Sequence, residues 1–193
     1  MIMLQPSLAA QDSRAVVYNI VSNIRPMDNL EREHIDATLA WIKSGVPIFR
    51  IQKPNVPNKH LVSYFVLFDE EAEKVLLVDH KNAIAWLPTG GHIDIDEHPK
   101  DAAIRECFEE LGVNAEFWSD EPLFLTSTMT TGLTAGHTDV SLWYVIKGNQ
   151  LEKYRFDTKE FNAIKWFSFD EIPYDNSDPH MKRFIEKLKA ELH

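Results

Sequence analysis

The stretch from Gly90 to Val113 constrains this chain more than any other, because it sets three glutamates on one face of a predicted helix. Its sequence is GGHIDIDEHPKDAAIRECFEELGV: a glycine pair, a short acidic loop and a helical segment. Glu106, Glu109 and Glu110 occupy offsets at which Cβ atoms lie about 5–6 Å apart on a helix. Like charges this close repel each other, and Arg105 can neutralise only one of them. The pattern therefore predicts a bound divalent cation, with a solvated acidic helix face as the alternative.

The spacing of residues in this stretch resembles the signature of the Nudix hydrolases. Glu97 follows Gly91 after five residues, and seven further residues lead to Arg105-Glu106 and then to Glu109-Glu110. Cys107 departs from the signature, since the family usually has a larger aliphatic residue there. A buried cysteine behaves as a small hydrophobe, so we expect looser packing and unchanged chemistry.

The resemblance covers about residues 61–172 and implies a site for two or three Mg²⁺ or Mn²⁺ ions. The implied metal ligands are Gly90 or Gly91, through a backbone carbonyl, and Glu106, Glu109 and Glu110. The implied catalytic residues are Glu106, Arg105 and Glu109, with Glu106 binding metal or deprotonating water and Arg105 orienting a glutamate. Glu97 is implied to steady the loop and to reach a metal.

The first 57 residues are predicted to form a helical extension to a Nudix domain at residues 58–193. Two apolar stripes with helical spacing follow predicted N-caps at Asp12 and Asp28. The stripes are Val17, Ile20, Val21 and Ile24, and Ile35, Leu39 and Ile42. A stripe must be covered, by the domain's own sheet or by a second subunit, and the segment is also a candidate lid over the site. We expect a homodimer.

From His60 onward the pattern predicts strands. The β-rich runs lie at residues 61–68, 74–78, 85–87, 122–128, 139–146 and 163–167. Near-continuous apolar runs indicate strands that are covered on both faces, and an acidic turn predicts a hairpin between the first two. Helices are predicted from Pro99 to a Gly112 C-cap and after Asp178-Pro179. The order predicts a mixed β-sheet with helices on both faces, a Nudix-type α/β/α sandwich.

Within the signature helix, the apolar positions predict which face is buried. The predicted buried stripe is Ile104, Cys107, Phe108 and Leu111. This assignment makes the glutamates face away from the core.

Residues outside the signature helix supply candidates for substrate binding. Trp86 and Tyr64 are candidates for stacking on a base, although aromatic residues in strands are usually core. His92 is a candidate for a phosphate contact, with a structural hydrogen bond as the alternative. His137 and Asp139, two residues apart on a strand, project to the same side and are candidate substrate contacts or partners in a strand-end hydrogen bond.

Two further acidic residues precede the last strand. Asp157 and Glu160 are candidates for an additional ligand or for the general base, because relatives often carry an acidic ligand there. A solvated loop carboxylate is the alternative for each. The polar loop from Thr130 to Thr138 is a further candidate for substrate contacts.

Composition limits the partners. The formal net charge of -10 argues against a protein that binds nucleic-acid polymers through a basic face, but allows a small phosphorylated substrate bound through metal ions. The single cysteine permits no internal disulfide and favours a reducing compartment. Neither a basic leader nor an apolar run of about 20 residues occurs, so we expect a cytoplasmic protein with no membrane partner.

These features predict a metal-dependent pyrophosphohydrolase that cleaves a nucleoside diphosphate linked to another moiety, with an NTP or an oxidised NTP as the first candidate substrate. Nucleotide sugars, dinucleotides and capped RNA ends are open. The alternative is a non-catalytic Nudix-fold nucleotide-sensing module, which usually has a damaged signature or an attached DNA-binding domain; the sequence shows neither. An isoprenoid diphosphate isomerase on the same fold requires catalytic residues that we do not identify.

Overall fold

The computed structural model describes residues 12–130 and 135–192, and within them a seven-stranded mixed sheet carries four α-helices. The helices are α1 (Ser13–Asn23), α2 (Asn29–Lys43), α3 (Pro99–Leu111) and α4 (Met181–Glu191). The strands are β1 (Lys59–Asp69), β2 (Lys74–His80), β3 (Ala85–Leu87), β4 (Thr89–His92), β5 (Phe124–Met129), β6 (Thr138–Lys147) and β7 (Phe161–Ser168). The predicted α/β/α sandwich is confirmed.

The sheet is organised around β1. This strand pairs in parallel with β6 and antiparallel with β2 and β4, in the order β3-β2-β1-β6-β5. β7 pairs with β2. Asp69 lies opposite Lys74, which confirms the predicted hairpin.

Each face of the sheet is covered by helices, because successive side chains of the inner strands point to opposite faces. On β1, Phe65 and Leu67 belong to a core shared with α1, α2 and α3. Val66 and Phe68 point the other way, into a core shared with α4. The near-continuous apolar runs therefore do mark strands that are covered on both sides.

The N-terminal helices cover the chain's own sheet. Asp12 and Asp28 cap them as predicted, by accepting hydrogen bonds from the backbone N–H groups of Arg14 and Glu31. Both apolar stripes pack in the core cluster that also contains β1, β6 and α3. The stripes thus no longer argue for a homodimer, and the oligomeric state and the division at residue 57 stay predictions.

Helix α3 begins at Pro99 and ends at Gly112, whose left-handed φ of 68° suits the C-cap as predicted. The predicted buried stripe, however, is wrong at two positions: Ile104 is 41% exposed and Phe108 is 56% exposed. Cys107 and Leu111 are buried as predicted, and the other buried positions of the helix are Pro99, Ala102, Ala103 and Glu110. The prediction that the glutamates face away from the core is also wrong for Glu110, which is 8% exposed.

The close approach of α3 to β1 explains why the buried face of the helix differs from the predicted one. Its first turn touches β1, where the Ser63 hydroxyl donates a 2.6 Å hydrogen bond to the carbonyl of Pro99. Ala102 and Ala103 are small enough for the backbones to come this near, whereas Ile104 and Phe108 are not. The face that meets the sheet was therefore set by side-chain size as much as by hydrophobicity.

No helix within the described ranges is both long and apolar enough to cross a membrane. The expectation that no leader is present rested partly on residues 1–11, which lie outside the described residues.

Candidate active site

The glycine pair forms the centre of β4. Gly90 lies opposite Tyr64 and Gly91 opposite Ser63 on β1. A Cβ atom on Gly90 would stand 2.2 Å from the Ser63 carbonyl oxygen, and one on Gly91 would stand 2.1 Å from Oε1 of Glu106. Gly90 also has a φ of 147°, which side-chain-bearing residues rarely adopt. Gly90 is therefore required for β4 to pair with β1, whereas a side chain at Gly91 would displace the Glu106 carboxylate.

Arg105 holds two glutamates in place. Its Nε and Nη2 atoms donate to the two carboxylate oxygens of Glu97, at 2.9 and 2.8 Å. Its Nη1 atom donates to Oε1 of Glu106 at 2.5 Å, and Nη2 also reaches the His92 carbonyl at 3.2 Å. Hydrogen bonding from Arg105 lowers the pKa of Glu97. The arginine thus fixes the Glu106 carboxylate against Gly91, in keeping with the role that the resemblance implies.

Glu110 is the most deeply buried of the signature glutamates. Its Oε2 accepts a 3.1 Å hydrogen bond from the backbone N–H of Gly90. Burial raises its pKa well above the usual range, and the negative charges of Glu106 and Glu160 add to the effect. Burial also raises the pKa of Glu106, against the opposing influence of Arg105.

Glu109 lies on the open side of the same cluster. Its side chain is 60% exposed, and its Oε2 lies 3.8 Å from Nη1 of Arg105. The three glutamates therefore combine one buried carboxylate, Glu110, one half-buried carboxylate, Glu106, and one that faces solvent, Glu109.

This donor set fits a hard divalent cation. Within the described residues Glu110 forms no ion pair, and Glu106 shares its single cationic partner with Glu97. Carboxylate and carbonyl oxygens are the ligands that Mg²⁺ and Mn²⁺ prefer. The groups that would hold such ions are the carboxylates of Glu106, Glu109 and Glu110 and a carbonyl of the glycine pair.

Asp157 and Glu160, predicted together, differ in the structure. The Asp157 carboxylate accepts a 2.8 Å hydrogen bond from the backbone N–H of Lys159 and so stabilises its own turn. The charge of Glu160 instead acts on both Glu106 and Glu110, raising the pKa of each. The backbone N–H of Asp157 bonds the Glu110 carbonyl at 3.0 Å, which attaches this loop to the end of α3.

The two aromatic candidates pack mainly in the core. The Tyr64 ring meets Trp143 edge-to-face at 5.1 Å, and the Trp86 ring meets Phe167 in the same manner at 5.1 Å. Both are partly buried beside the α4-side core. Their role in substrate stacking stays a prediction.

His92, His137 and Asp139 meet at the end of the sheet where β1 and β6 begin, and His60 joins them. Nε2 of His137 lies 3.2 Å from Oδ1 of Asp139, so both side chains do point to one side, as predicted. Nε2 of His60 lies 3.3 Å from the same oxygen. Burial, as the largest cause, lowers the pKa of His92 to about 3. Residues 131–134 of the neighbouring polar loop lie outside the described residues.

Sequence reasoning missed His60. It lies within an apolar strand run, where a lone histidine is indistinguishable from a core residue. The available signal was the pairing of β1 with β6, which sets His60 opposite Asp139. That pairing is parallel and long-range, so no local pattern revealed it.

Comparison with known proteins agrees with the fold and the signature. The family model of the NUDIX domain matches residues 59–188. An m7GpppN-mRNA hydrolase (dcap-2) of Caenorhabditis elegans is 31% identical over 135 residues, which cover 67% of this chain and 16% of that protein. A putative 8-oxo-dGTP diphosphatase of Bacillus subtilis is 41% identical over 51 residues, which cover 26% of this chain and 34% of that protein.

The matched parts thus span a sixth to a third of those two relatives. Among solved structures, a NUDIX-family hydrolase from Clostridium perfringens superposes with a TM-score of 0.53 at 23% identity, covering 69% of this chain and 95% of that one. At that identity the likeness concerns the fold.

Proposed function

Because the chain belongs to the Nudix family, we propose that it is a metal-dependent pyrophosphohydrolase that cleaves a nucleoside diphosphate linked to another moiety. The observation that carries the proposal is the pair of carboxylates of Glu110, which is buried, and Glu106, which is half-buried. Both face the glycine strand, and among the described residues Arg105 is the one cation that pairs with either. A buried charge without a partner is costly, so its retention indicates a ligand that completes the site.

Each residue of the site has a proposed task. Glu106, Glu109 and Glu110 would hold two or three Mg²⁺ or Mn²⁺ ions together with a carbonyl of Gly90 or Gly91. Such ions, when bound, neutralise phosphate charge and make coordinated water more acidic. Arg105 fixes Glu106 in position, and Glu160 supplies a further acidic group from outside the signature, as ligand or as base.

An NTP or an oxidised NTP is the proposed substrate. The Bacillus subtilis relative is named a putative 8-oxo-dGTP diphosphatase, which supports a nucleoside triphosphate as the substrate. The name of the nematode relative, an mRNA cap hydrolase, keeps capped RNA ends on the panel to be tested. The net charge of -10 favours a small nucleotide over a long polymer. A cytoplasmic location is proposed from the single, buried and unpaired cysteine, Cys107.

The test is a nucleotide panel with Mg²⁺ and with Mn²⁺, in which released phosphate and pyrophosphate are measured. We expect Glu106→Gln and Glu109→Gln to lower turnover about 10³-fold, equivalent to ~4 kcal/mol of transition-state stabilisation, while circular dichroism shows an intact fold. Glu116→Gln is the matched control, since Glu116 pairs with Lys147 at the surface.

Turnover near that of the unaltered protein in both signature variants would contradict the site assignment. Nucleotide binding without turnover of any panel member would indicate the sensing module instead.

A further inference from the structure

A second group of ligand-type side chains lies beside the glutamate site and is not used by the proposed hydrolysis. It comprises His60, His92, His137 and Asp139, each of which offers one atom within 4.8 Å of the others. Sheet pairing brings them together: His60 lies opposite Asp139, and β4 ends at His92 opposite Val62. Three separate strands therefore converge on one point.

In two of the imidazoles, a contact of the Nδ1 atom fixes the orientation of the ring. Nδ1 of His60 lies 2.7 Å from the Pro57 carbonyl, which can only accept a hydrogen bond, so this nitrogen carries the proton. Nδ1 of His137 lies 3.0 Å from the Thr130 hydroxyl, which itself donates to the His137 carbonyl at 3.1 Å. With Nδ1 as the donor in both rings, Nε2 is the atom turned toward the cluster. Metal-bound histidines are usually held in this way by their second nitrogen.

The atoms that face one another at the centre are acceptors. Within residues 12–130 and 135–192, Nε2 of His60, Nε2 of His92 and Oδ1 of Asp139 are each buried and have no hydrogen-bond partner. His60 is 0% exposed and His137 is 5% exposed. Buried polar atoms nearly always have a partner. Several unpartnered acceptor atoms directed at one point therefore indicate a binding site for a cation.

From this arrangement we infer that His60, His92, His137 and Asp139 bind one divalent transition-metal ion, and that this ion is Zn²⁺. Bonds of about 2.0–2.1 Å in a tetrahedron place neighbouring ligand atoms about 3.4 Å apart. The two separations from Oδ1 of Asp139, 3.2 and 3.3 Å, already match that spacing. Three imidazoles and one carboxylate suit Zn²⁺, whereas the all-oxygen glutamate site suits Mg²⁺.

The site has four protein ligands and little solvent access, as structural zinc sites do. An ion there joins the beginnings of β1 and β6 to the end of β4. Because β4 carries the glycine pair, and Arg105 bonds the His92 carbonyl, the ion holds the strand against which the glutamates pack. His92, His137 and Asp139 thereby act as metal ligands rather than as substrate contacts.

The experiment uses tag-free full-length protein grown with added zinc and passed through a desalting column, followed by elemental analysis. The bound metal is then removed with a chelator, the chelator is removed, and the metal-free protein is titrated with Co²⁺, whose visible absorption is intense in tetrahedral sites. We expect about one zinc per chain, an intense Co²⁺ spectrum that excess Mg²⁺ does not abolish, and a thermal midpoint that rises with Zn²⁺.

Variants locate the ion. His60→Ala and Asp139→Asn should weaken Zn²⁺ affinity at least 10-fold, as measured by competition with a chromophoric chelator. His34→Ala, on α2, is the matched histidine control and should bind as the unaltered protein does. The double variant Glu106→Gln/Glu109→Gln should keep the Co²⁺ spectrum, which separates this site from the glutamates and from any loss of hydrolysis.

His60 is fully buried, so its variant is read only if circular dichroism shows a folded protein; otherwise His92→Gln, at a partly exposed position, takes its place. Absence of both retained zinc and a tetrahedral Co²⁺ spectrum in the unaltered protein would overturn the inference. It would equally be overturned if the cluster variants bound Zn²⁺ as tightly as His34→Ala.

Discussion

Glu31 and Glu110 are both buried glutamates, but within the described part of the chain a cationic side chain pairs with Glu31 and none pairs with Glu110. Glu31 is 0% exposed, and its Oε1 lies 2.7 Å from Nζ of Lys187. Its carboxylate also accepts hydrogen bonds from the backbone N–H groups of Met27 and Leu125. Glu110 is 8% exposed, bonds the Gly90 N–H, and has Glu106 and Glu160 as charged neighbours.

The difference separates a charge that the fold itself pairs from one that we propose to bind metal. Glu31 joins α2 to α4, and Lys187, which also donates to the Arg25 carbonyl at 2.7 Å, completes that contact within the fold. At Glu110 the folded chain leaves negative charge for something else to neutralise. Leaving a buried charge without its partner typically costs about 3–5 kcal/mol. A buried glutamate is therefore tolerated where it is paired, as at Glu31, and destabilises the fold where it is not, as at Glu110.

Apart from the glutamate variants proposed above, the largest expected effect comes from displacing a carboxylate of the candidate active site. We predict that Gly91→Ala lowers turnover about 100-fold or more, because the new Cβ would stand 2.1 Å from Oε1 of Glu106. Steady-state kinetics with the best substrate of the panel measures it. Gly45→Ala is the control: it introduces a side chain at a φ of 81° into open space, and should keep turnover within about 2-fold. Equal losses in both variants would show that a general disturbance of the fold, rather than the displacement of Glu106, lowers turnover.

A smaller effect tests how far the uncompensated charge extends. Glu160→Gln should lower kcat/KM about 10-fold, or ~1.4 kcal/mol, because its carboxylate acts on Glu106 and Glu110. Asp157→Asn, in the same loop, should change kcat/KM less than about 2-fold, since that carboxylate serves its own turn. Reversal of this order would move the functional region toward Asp157.

The smallest expected effect comes from the ion pair between Asp28, at the start of α2, and Arg183 on α4. Nη2 and Nε of Arg183 donate to the Asp28 carboxylate and lower its pKa from 3.8 to about 2. A carboxyl with a depressed folded-state pKa stabilises the fold above its unfolded pKa, and this contribution is lost as pH falls toward the folded-state pKa. Because the group is about one-third exposed, solvent screening limits the expected contribution to about 1 kcal/mol.

Asp28→Asn should therefore lower the free energy of unfolding by about that amount at neutral pH, with the difference vanishing between about pH 4 and pH 2. Asparagine keeps the N-cap of α2, so only the charge is lost. Urea unfolding at a series of pH values measures the difference, and Asp36→Asn on the same helix is the control. A loss that is independent of pH would mean that the ion pair contributes nothing.

The sheet and the helix ends were predictable because they depend on local patterns. The alternating and continuous apolar runs of β1 and β2, the Pro99 start and the Gly112 end of α3 each carry a signal within a few residues. The strand β4 had none, because a four-residue run with two glycines has low strand propensity and is held by its pairing with β1.

The burial of the glutamates was not predictable from hydrophobicity. A periodicity argument assigns Phe108 to the core and Glu110 to solvent, whereas the structure does the opposite. The helix packs on a glycine strand that leaves room for carboxylates and needs small residues at Ala102 and Ala103. The resemblance named these glutamates as candidate ligands, but the burial of Glu110 and the hydrogen bonds by which Arg105 holds Glu97 and Glu106 emerge only from tertiary contacts.

The central claim is that the site's glutamates are neutralised by added cations while Glu31 is neutralised by the chain. Urea unfolding of Glu110→Gln and Glu31→Gln, each first stripped of bound metal and then measured in EDTA and in zinc-free buffer with millimolar Mg²⁺, tests it directly. We predict that Glu31→Gln loses about 3 kcal/mol under both conditions and keeps its stabilisation by Mg²⁺. Glu110→Gln should be at least as stable as the unaltered protein in EDTA and gain nothing from Mg²⁺. A Glu110→Gln variant that is destabilised in EDTA and still stabilised by Mg²⁺ like the unaltered protein would contradict the account.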